Sequence, residues 1–340
     1  MIDLSKNTNP YYPSYNINKH LLQAIKDINI YPPMNNNVLE GKISKYFQIN
    51  ENNIYLATGT LEAFDTLLKN LKVKKIGFLT PTFWGMQVLA KKNNCELIYE
   101  QIDNNYTENQ IEQLAKKVDL LYLCNPNNPT LSYINQNILK KLIKNNTNCH
   151  FVIDETLLSF SPLYYKETLY RLVNNQSNLS VMISFSKIFS LGGLRIAIMF
   201  SNQKNLDTIK KDRLIFSSNI LTQYIVDDVG KEYFKIDRKK FSDNFSMFIN
   251  LLDNKFIDKI INENVSFILI KFKEQVNTQK LIKYLEKNNF LIADISTMYL
   301  ELEKNWVRIS IGKKNDLKKL AKLINKYLEV KYEQKFNSNK

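Results

Sequence analysis

Ser184-Phe185-Ser186-Lys187-Ile188-Phe189-Ser190-Leu191-Gly192-Gly193-Leu194-Arg195 follows one apolar run, 179–183, and precedes another, 196–200. Between two segments that read as buried strands stand a lysine after two serines, a glycine pair and an arginine. A lysine there is costly unless it is neutralised or bonded, because its charge must leave water. Enzymes exploit that cost to make the amine a Schiff-base nucleophile. The two hydroxyls, the backbone amides and Arg195 suit a phosphate beside it. An aldehyde to trap and an anion to hold are what pyridoxal phosphate requires. The competing reading of Ser-x-Ser-Lys alone is a surface loop with an idle lysine, since short motifs match by chance.

Outward from this stretch, β-branched and aromatic runs recur at 54–57, 76–80, 96–101, 120–124, 151–153, 181–185 and 196–200. Helical spacing lies between most of them, as at 61–71, 87–93 and 138–144. Continuous apolar strands alternating with helices predict a large three-layer α/β domain, a mainly parallel sheet covered on both faces. Ligands bind such sheets beyond the carboxyl ends of the strands. Thr58-Gly59-Thr60, Asn125-Pro126-Asn127-Asn128-Pro129, Asp154 and Ser186-Lys187 all fall there. With only eight glycines in 340 residues, those at 59, 192, 193 and 312 are expected to matter.

After residue 230 the pattern changes. A long helix from about 231, a strand at 265–272, a helix at 278–288, a strand at 306–311 and a terminal helix predict a smaller α+β domain over 231–340. Pro10, Pro13, Pro32 and Pro33 make 1–35 read as an extended arm, packing with the small domain or a partner subunit, and leave 36–230 as the large domain.

A net charge of +14 invites a nucleic-acid reading. Yet the lysines are spread along the whole chain, and the densest stretch, 313–331, carries an apolar helical stripe of Leu317, Leu320, Leu323, Ile324, Tyr327 and Leu328. No nucleic-acid partner is expected. No apolar run approaches the ~18–20 residues that span a bilayer, and the first residues lack the regions of a signal peptide. A cytoplasmic protein without a membrane partner is therefore expected. Cys95, Cys124 and Cys149 are too scattered for a disulfide framework or a metal knuckle. Only His20, in a polar stretch that reads as helical, and His150, which opens an apolar strand, could serve histidine chemistry or zinc; both read as structural, so no metal is expected and a lysine or carboxylate is the expected base. The tail after Leu328 is expected to fray.

Taken in order, these motifs resemble the fold-type I pyridoxal-phosphate enzymes of aminotransferase class I/II, and among them the histidinol-phosphate aminotransferase and threonine-phosphate decarboxylase branch. The likeness spans nearly the whole chain, from Ile2-Asp3-Leu4-Ser5-Lys6-Asn7-Thr8-Asn9-Pro10 and Tyr31-Pro32 to Val307-Arg308-Ile309-Ser310-Ile311-Gly312. It implies pyridoxal 5'-phosphate as cofactor, held by Lys187, which also shuttles the substrate proton. Asp154 would keep the pyridine nitrogen protonated; its bland alternative is a helix N-cap. Asn128 would donate to the phenolate oxygen, or serve only as a turn residue. Gly59, Thr60 and Leu61 would open a helix whose N–H groups bind the phosphate with Ser184, Ser186 and Arg195, the alternative being an ordinary cap by Thr58 or Thr60. Phe83 would stack on the ring or else belong to the core. Tyr31 would reach the phosphate of a neighbouring subunit, implying a homodimer with shared active sites. Arg308 would grip the substrate α-carboxylate as a fork.

Three positions depart from the resembled pattern. The family's Asp-x-x-Tyr reads Asp154-Glu155-Thr156-Leu157, so one donor to the phenolate oxygen is missing. Pro-Thr-Gly reads Pro129-Thr130-Leu131, which predicts an altered turn. Ala293 stands where phosphate-recognising members carry an arginine, which predicts a non-phosphorylated substrate. The leading expectation is an aminotransferase acting between a small amino acid and a 2-oxo acid. A decarboxylase on the same scaffold is the alternative, and a non-catalytic protein of this fold is a third.

Overall fold

After the short β1 (Ile2–Asp3), strands form at β2 (Ile54–Ala57), β3 (Lys75–Thr80), β4 (Glu96–Gln101), β5 (Leu120–Cys124), β6 (His150–Asp154), β7 (Leu179–Ser184) and β8 (Ala197–Ser201) in the computed structural model, which describes residues 1–102, 106–299 and 303–333. Strands β2 to β8 build one sheet in the order β2-β8-β7-β6-β5-β3-β4. Among the described residues its pairings are parallel except those of β8, antiparallel to both neighbours. Every residue of β2, β5, β6, β7 and β8 is buried, which is why these strands carry apolar residues without alternation. The edge strand β4 instead exposes Glu96 and Gln101 and half-exposes Glu100, which blunts it against further pairing. Helices Thr60–Leu71, Trp84–Lys92 and Gln136–Asn145 fill predicted intervals, and the last is capped by the Asn135 side chain.

Two units divide the chain: a larger one of residues 12–159 and 163–236, and a smaller one of residues 1–11, 160–162 and 237 onward. In the smaller unit β9 (Ile257–Ile261), β10 (Phe267–Phe272), β12 (Ala293–Asp294) and β13 (Trp306–Ser310) form an antiparallel sheet in the order β12-β13-β10-β9, while β11 (Phe290–Leu291) pairs in parallel with β1. Helix Lys314–Leu328 buries Leu317, Leu320, Ala321, Ile324, Tyr327 and Leu328. Its Lys318, Lys319, Lys322 and Lys326 are exposed, as the stripe predicts.

Several expectations need correction. Residues 15–24 are not extended: Ser14 accepts from the N–H of Ile17 and caps a helix, Tyr15–Ala24, that buries Ile17 and Ala24. The expected arm is divided, because residues 1–11 group with the smaller unit and residues from 12 onward with the larger. The long helix from 231 is two helices, Ile220–Tyr233 and Lys239–Asn250. Beyond Leu328 a π-helical turn, Glu329–Glu333, continues the chain; the rest of the tail expected to fray lies outside the described residues. Among the described residues no helix is long and apolar enough to cross a membrane.

Candidate active site

Sheet register aligns the strand ends of the larger unit. Cys124 pairs with Asp154 and Asp154 with Met182; Ser184 pairs with Ala197 and Ala197 with Ala57. The loops beyond this row carry Gly59, Asn128, Ser186 and Lys187. Because β8 runs the opposite way, Arg195 just precedes it at the same edge. Lys187 is half-buried in a helical turn, Phe185–Ile188, that starts where β7 ends.

On one side lies a cradle for an anion. Helix Thr60–Leu71 begins at Gly59, whose φ of 90° suits a residue without Cβ, and no side chain caps it. A Cβ at Gly59 would lie 2.5 Å from Arg195 Nη2, so the guanidinium rests directly against the glycine. Thr58 is spent elsewhere, its hydroxyl donating to Ser217 O (3.0 Å) and its N–H to Glu62 (3.0 Å). Tyr55 and Thr66 hydroxyls also donate to Glu62, at 2.6 and 3.0 Å, and fix that first turn. Ser184 and Ser186 are buried, and Ser186 Oγ meets no hydrogen-bond partner among the described residues. Uncapped N–H groups, a guanidinium and an unsatisfied buried hydroxyl fit a phosphate. Gly192 and Gly193 have no such role, since a Cβ at either meets nothing within 4 Å.

On the other side, Asp154 is buried at the end of β6. Its Oδ1 accepts from Thr156 N–H (2.9 Å) and its Oδ2 from the Tyr122 hydroxyl (3.0 Å). Burial pushes its carboxyl above the usual aspartate value, against those two donors. Asn127 is wholly committed to structure: it bonds Pro81 O (2.8 Å), Thr82 Oγ1 (2.7 Å) and Thr130 Oγ1 (2.7 Å). Its neighbour Asn128 is half-buried on the loop so pinned. Phe83 is half-buried too. A Cβ at Gly85 would meet both its ring (2.8 Å) and Leu61 (3.3 Å), so ring and helix N-terminus are neighbours. Leu157 is buried and offers no donor. Leu131 adopts φ 62°, a left-handed conformation that favours glycine, so the departure lies in the residue and its buried side chain.

Tyr31 is exposed and meets Phe216 edge-on at 5.6 Å. Arg308 belongs to the smaller unit. It is buried on β13, its Nη2 donating to Ser5 O (2.9 Å) and its guanidinium 5.2 Å from the Phe267 ring centroid. Burial lowers its pKa, with Tyr299 opposing. Ala293 is its cross-strand partner. Sequence reasoning missed Tyr122, Asn127 and Glu62. Tyr122 offers only a weak signal, a hydroxyl in an apolar buried strand that also reads as core; Glu62 and Asn127 carry no signal apart from their fold.

A lysine beside an anion cradle and a buried carboxylate, at the carboxyl edge of a mainly parallel seven-stranded sheet, define the fold-type I class of pyridoxal-phosphate enzymes. The chain belongs to the aminotransferase class I and II family, whose model matches residues 1–324. It is 27% identical over 335 residues to a histidinol-phosphate aminotransferase of Methanocaldococcus jannaschii, covering 95% of this chain and 88% of that protein. It is 31% identical over 330 residues to a Campylobacter jejuni dihydroxyacetone phosphate transaminase, covering 93% and 86%. The fold matches the crystal structure of the histidinol-phosphate aminotransferase from Clostridium acetobutylicum at a TM-score of 0.86 and 21% identity, over 96% of this chain and 99% of that one. The protein is a pyridoxal-phosphate-dependent aminotransferase.

Proposed function

We propose that this enzyme moves an amino group between a non-phosphorylated amino acid and a 2-oxo acid, with Lys187 as its catalytic amine. Pyridoxal phosphate, when bound, supplies an aldehyde for the substrate amine and a ring that accepts the electron pair released at Cα. Lys187 would hold the group through its amine and, once freed by the substrate amine, would move the Cα proton. Asp154 holds a proton at the ring nitrogen, and Asn128 donates to the phenolate oxygen without help from position 157. Gly59, Thr60, Leu61, Ser184, Ser186 and Arg195 bind the phosphate, Phe83 covers the ring, and Arg308 takes the substrate carboxylate. The observation that carries this reading is the Arg195 guanidinium against Gly59, with the unsatisfied Ser186 hydroxyl one residue from Lys187.

Relatives named for phosphorylated substrates argue the other way on substrate. Position 293 decides our choice: its buried methyl, opposite Arg308, brings no charge to a second anion, and an unpaired phosphate is expensive to desolvate. A homodimer with shared sites completes the proposal, supported by exposed apolar residues at 15–38 and 214–216.

An absorbance titration tests it. Pyridoxal phosphate should give a visible band with the wild type and none with Lys187→Ala. One amino acid should then bleach the band, and a 2-oxo acid restore it. Bleaching by histidinol phosphate alone overturns the substrate assignment, and release of carbon dioxide replaces transfer by decarboxylation.

A further inference from the structure

Tyr122 is the one hydroxyl in β5 (Leu-Leu-Tyr-Leu-Cys), 1% exposed, and it spends that hydroxyl on Asp154 Oδ2 at 3.0 Å. Its ring is held by Phe64, edge-on at 5.6 Å, and by Phe78 at 5.8 Å. Tyr122 pairs with Val152, two residues before Asp154, and Cys124 pairs with Asp154. Ring and carboxylate therefore share one face of the sheet, the tyrosine reaching Asp154 from within the core. With Thr156 N–H on Oδ1, both oxygens are engaged from the protein side.

We infer that Tyr122 is a positioning residue whose hydroxyl keeps Asp154 ionised, so that a proton shared with the cofactor's ring nitrogen stays on the nitrogen. The inference rests on the pyridoxal-phosphate reading of the site. A buried carboxylate and a pyridine compete for one proton. Each donor to the carboxylate stabilises its charged form and weakens its hold on that proton. Burial works the other way and leaves the Asp154 pKa raised even with both donors in place, so each donor limits that rise without cancelling it. The titratable groups around Asp154 are Cys124 and Tyr106, whose hydroxyl donates to Cys124 O (3.4 Å), both pushed up by burial and so uncharged, and Glu155, which burial pushes up to about 7. Without the Tyr122 hydroxyl the proton shifts toward Asp154, and the ring loses the positive charge that makes it an electron sink.

The test compares two ligands on Tyr122→Phe and wild type: pyridoxal phosphate and its analogue with C–H in place of the ring nitrogen. Only the first can share a proton with Asp154. Tyr122→Phe should lower the ratio of the two affinities by about tenfold, the value of a modest hydrogen bond to a charged group, mainly through weaker pyridoxal phosphate binding. If both affinities fall by the same factor, Tyr122 merely supports the fold and the inference fails. An unchanged ratio with unchanged affinities overturns it equally. Should wild type give no Lys187-dependent absorbance with either ligand, the pyridoxal-phosphate reading falls first.

Discussion

Leu131 occupies backbone space that favours glycine, and the energy terms explain why leucine is tolerated. A left-handed conformation costs a non-glycine residue roughly 1–2 kcal/mol. Burying a leucine side chain returns about 1.5–3 kcal/mol, and Leu131 is 1% exposed with its N–H bonded to Asn127 O (2.9 Å). The side chain therefore offsets the strain. At an ordinary buried site, truncation to glycine costs more than truncation to alanine. Here the order should invert: Leu131→Ala loses the burial and keeps the strain, at about 2–3 kcal/mol, whereas Leu131→Gly sheds the strain and costs about 1 kcal/mol less. Urea unfolding of both variants measures the difference, and alanine proving the milder change would refute the account. The same loop shows what sequence could deliver for a site. The resemblance points to Asn128 and not Asn127, and both side-chain N–H groups of Asn127 are already donated, to Pro81 O and Thr130 Oγ1. Tyr122 escaped because a tyrosine in an apolar strand reads as core until its hydroxyl finds a partner across the sheet.

Strand β6 carries chemistry at both ends, and the two ends respond to pH with opposite sign. Burial at its start lowers His150 to about 4, while its Nε2 lies 2.9 Å from Ser180 Oγ. Just past its end, burial pushes Glu155 up to about 7, against bonds from Thr168 Oγ1 (2.5 Å) and Leu169 N–H (2.7 Å). Between pH 4 and 6.5 the unfolded chain binds the His150 proton and the native state does not, so stability from this group falls as pH drops. Between pH 4.5 and 7 the native state binds the Glu155 proton and the unfolded chain does not, so stability falls as pH rises. The slopes oppose each other where they overlap. Relative to wild type, Glu155→Gln should therefore gain stability with rising pH from about 4.5 to 7, and His150→Asn should lose it from about 4 to 6.5. Urea midpoints across that range read both, and parallel curves for all three proteins would contradict the assignments. This strand was also legible in the sequence, as 151–153, and so were β2, β5, β7 and β8, because burial on both faces leaves a largely apolar run. The two-residue strands β1, β11 and β12 were not, since their pairing depends on distant partners. Helix Tyr15–Ala24 was legible only around His20, because the flanking prolines make the whole of 1–35 read as an arm, although Ser14 was present to start the helix.

The larger unit leaves Leu22, Ile25, Ile28, Ile30, Met34 and Val38 exposed, together with Leu214, Ile215 and Phe216. Scattered apolar side chains need no explanation, but these two stretches meet, through the Tyr31–Phe216 contact and the bond from Phe216 N–H to Met34 O (3.1 Å). A continuous apolar surface is what an isologous interface between two copies buries. Tyr31 lies within it, 82% exposed, with its ring against Phe216. Replacing it should leave the fold intact, and under the proposed shared site the loss of function falls on the neighbouring subunit. Tyr31→Ala and Lys187→Ala subunits separately should each be nearly inactive. Refolded together in equal amounts, half the dimers pair one of each, and in those the subunit that keeps Lys187 receives Tyr31 from its partner. One site in two is then whole, so the mixture should recover about a quarter of wild-type activity. Sedimentation of the same samples establishes the dimer independently. If dimers form and no activity returns, Tyr31 acts on the site of its own subunit and the shared-site account fails.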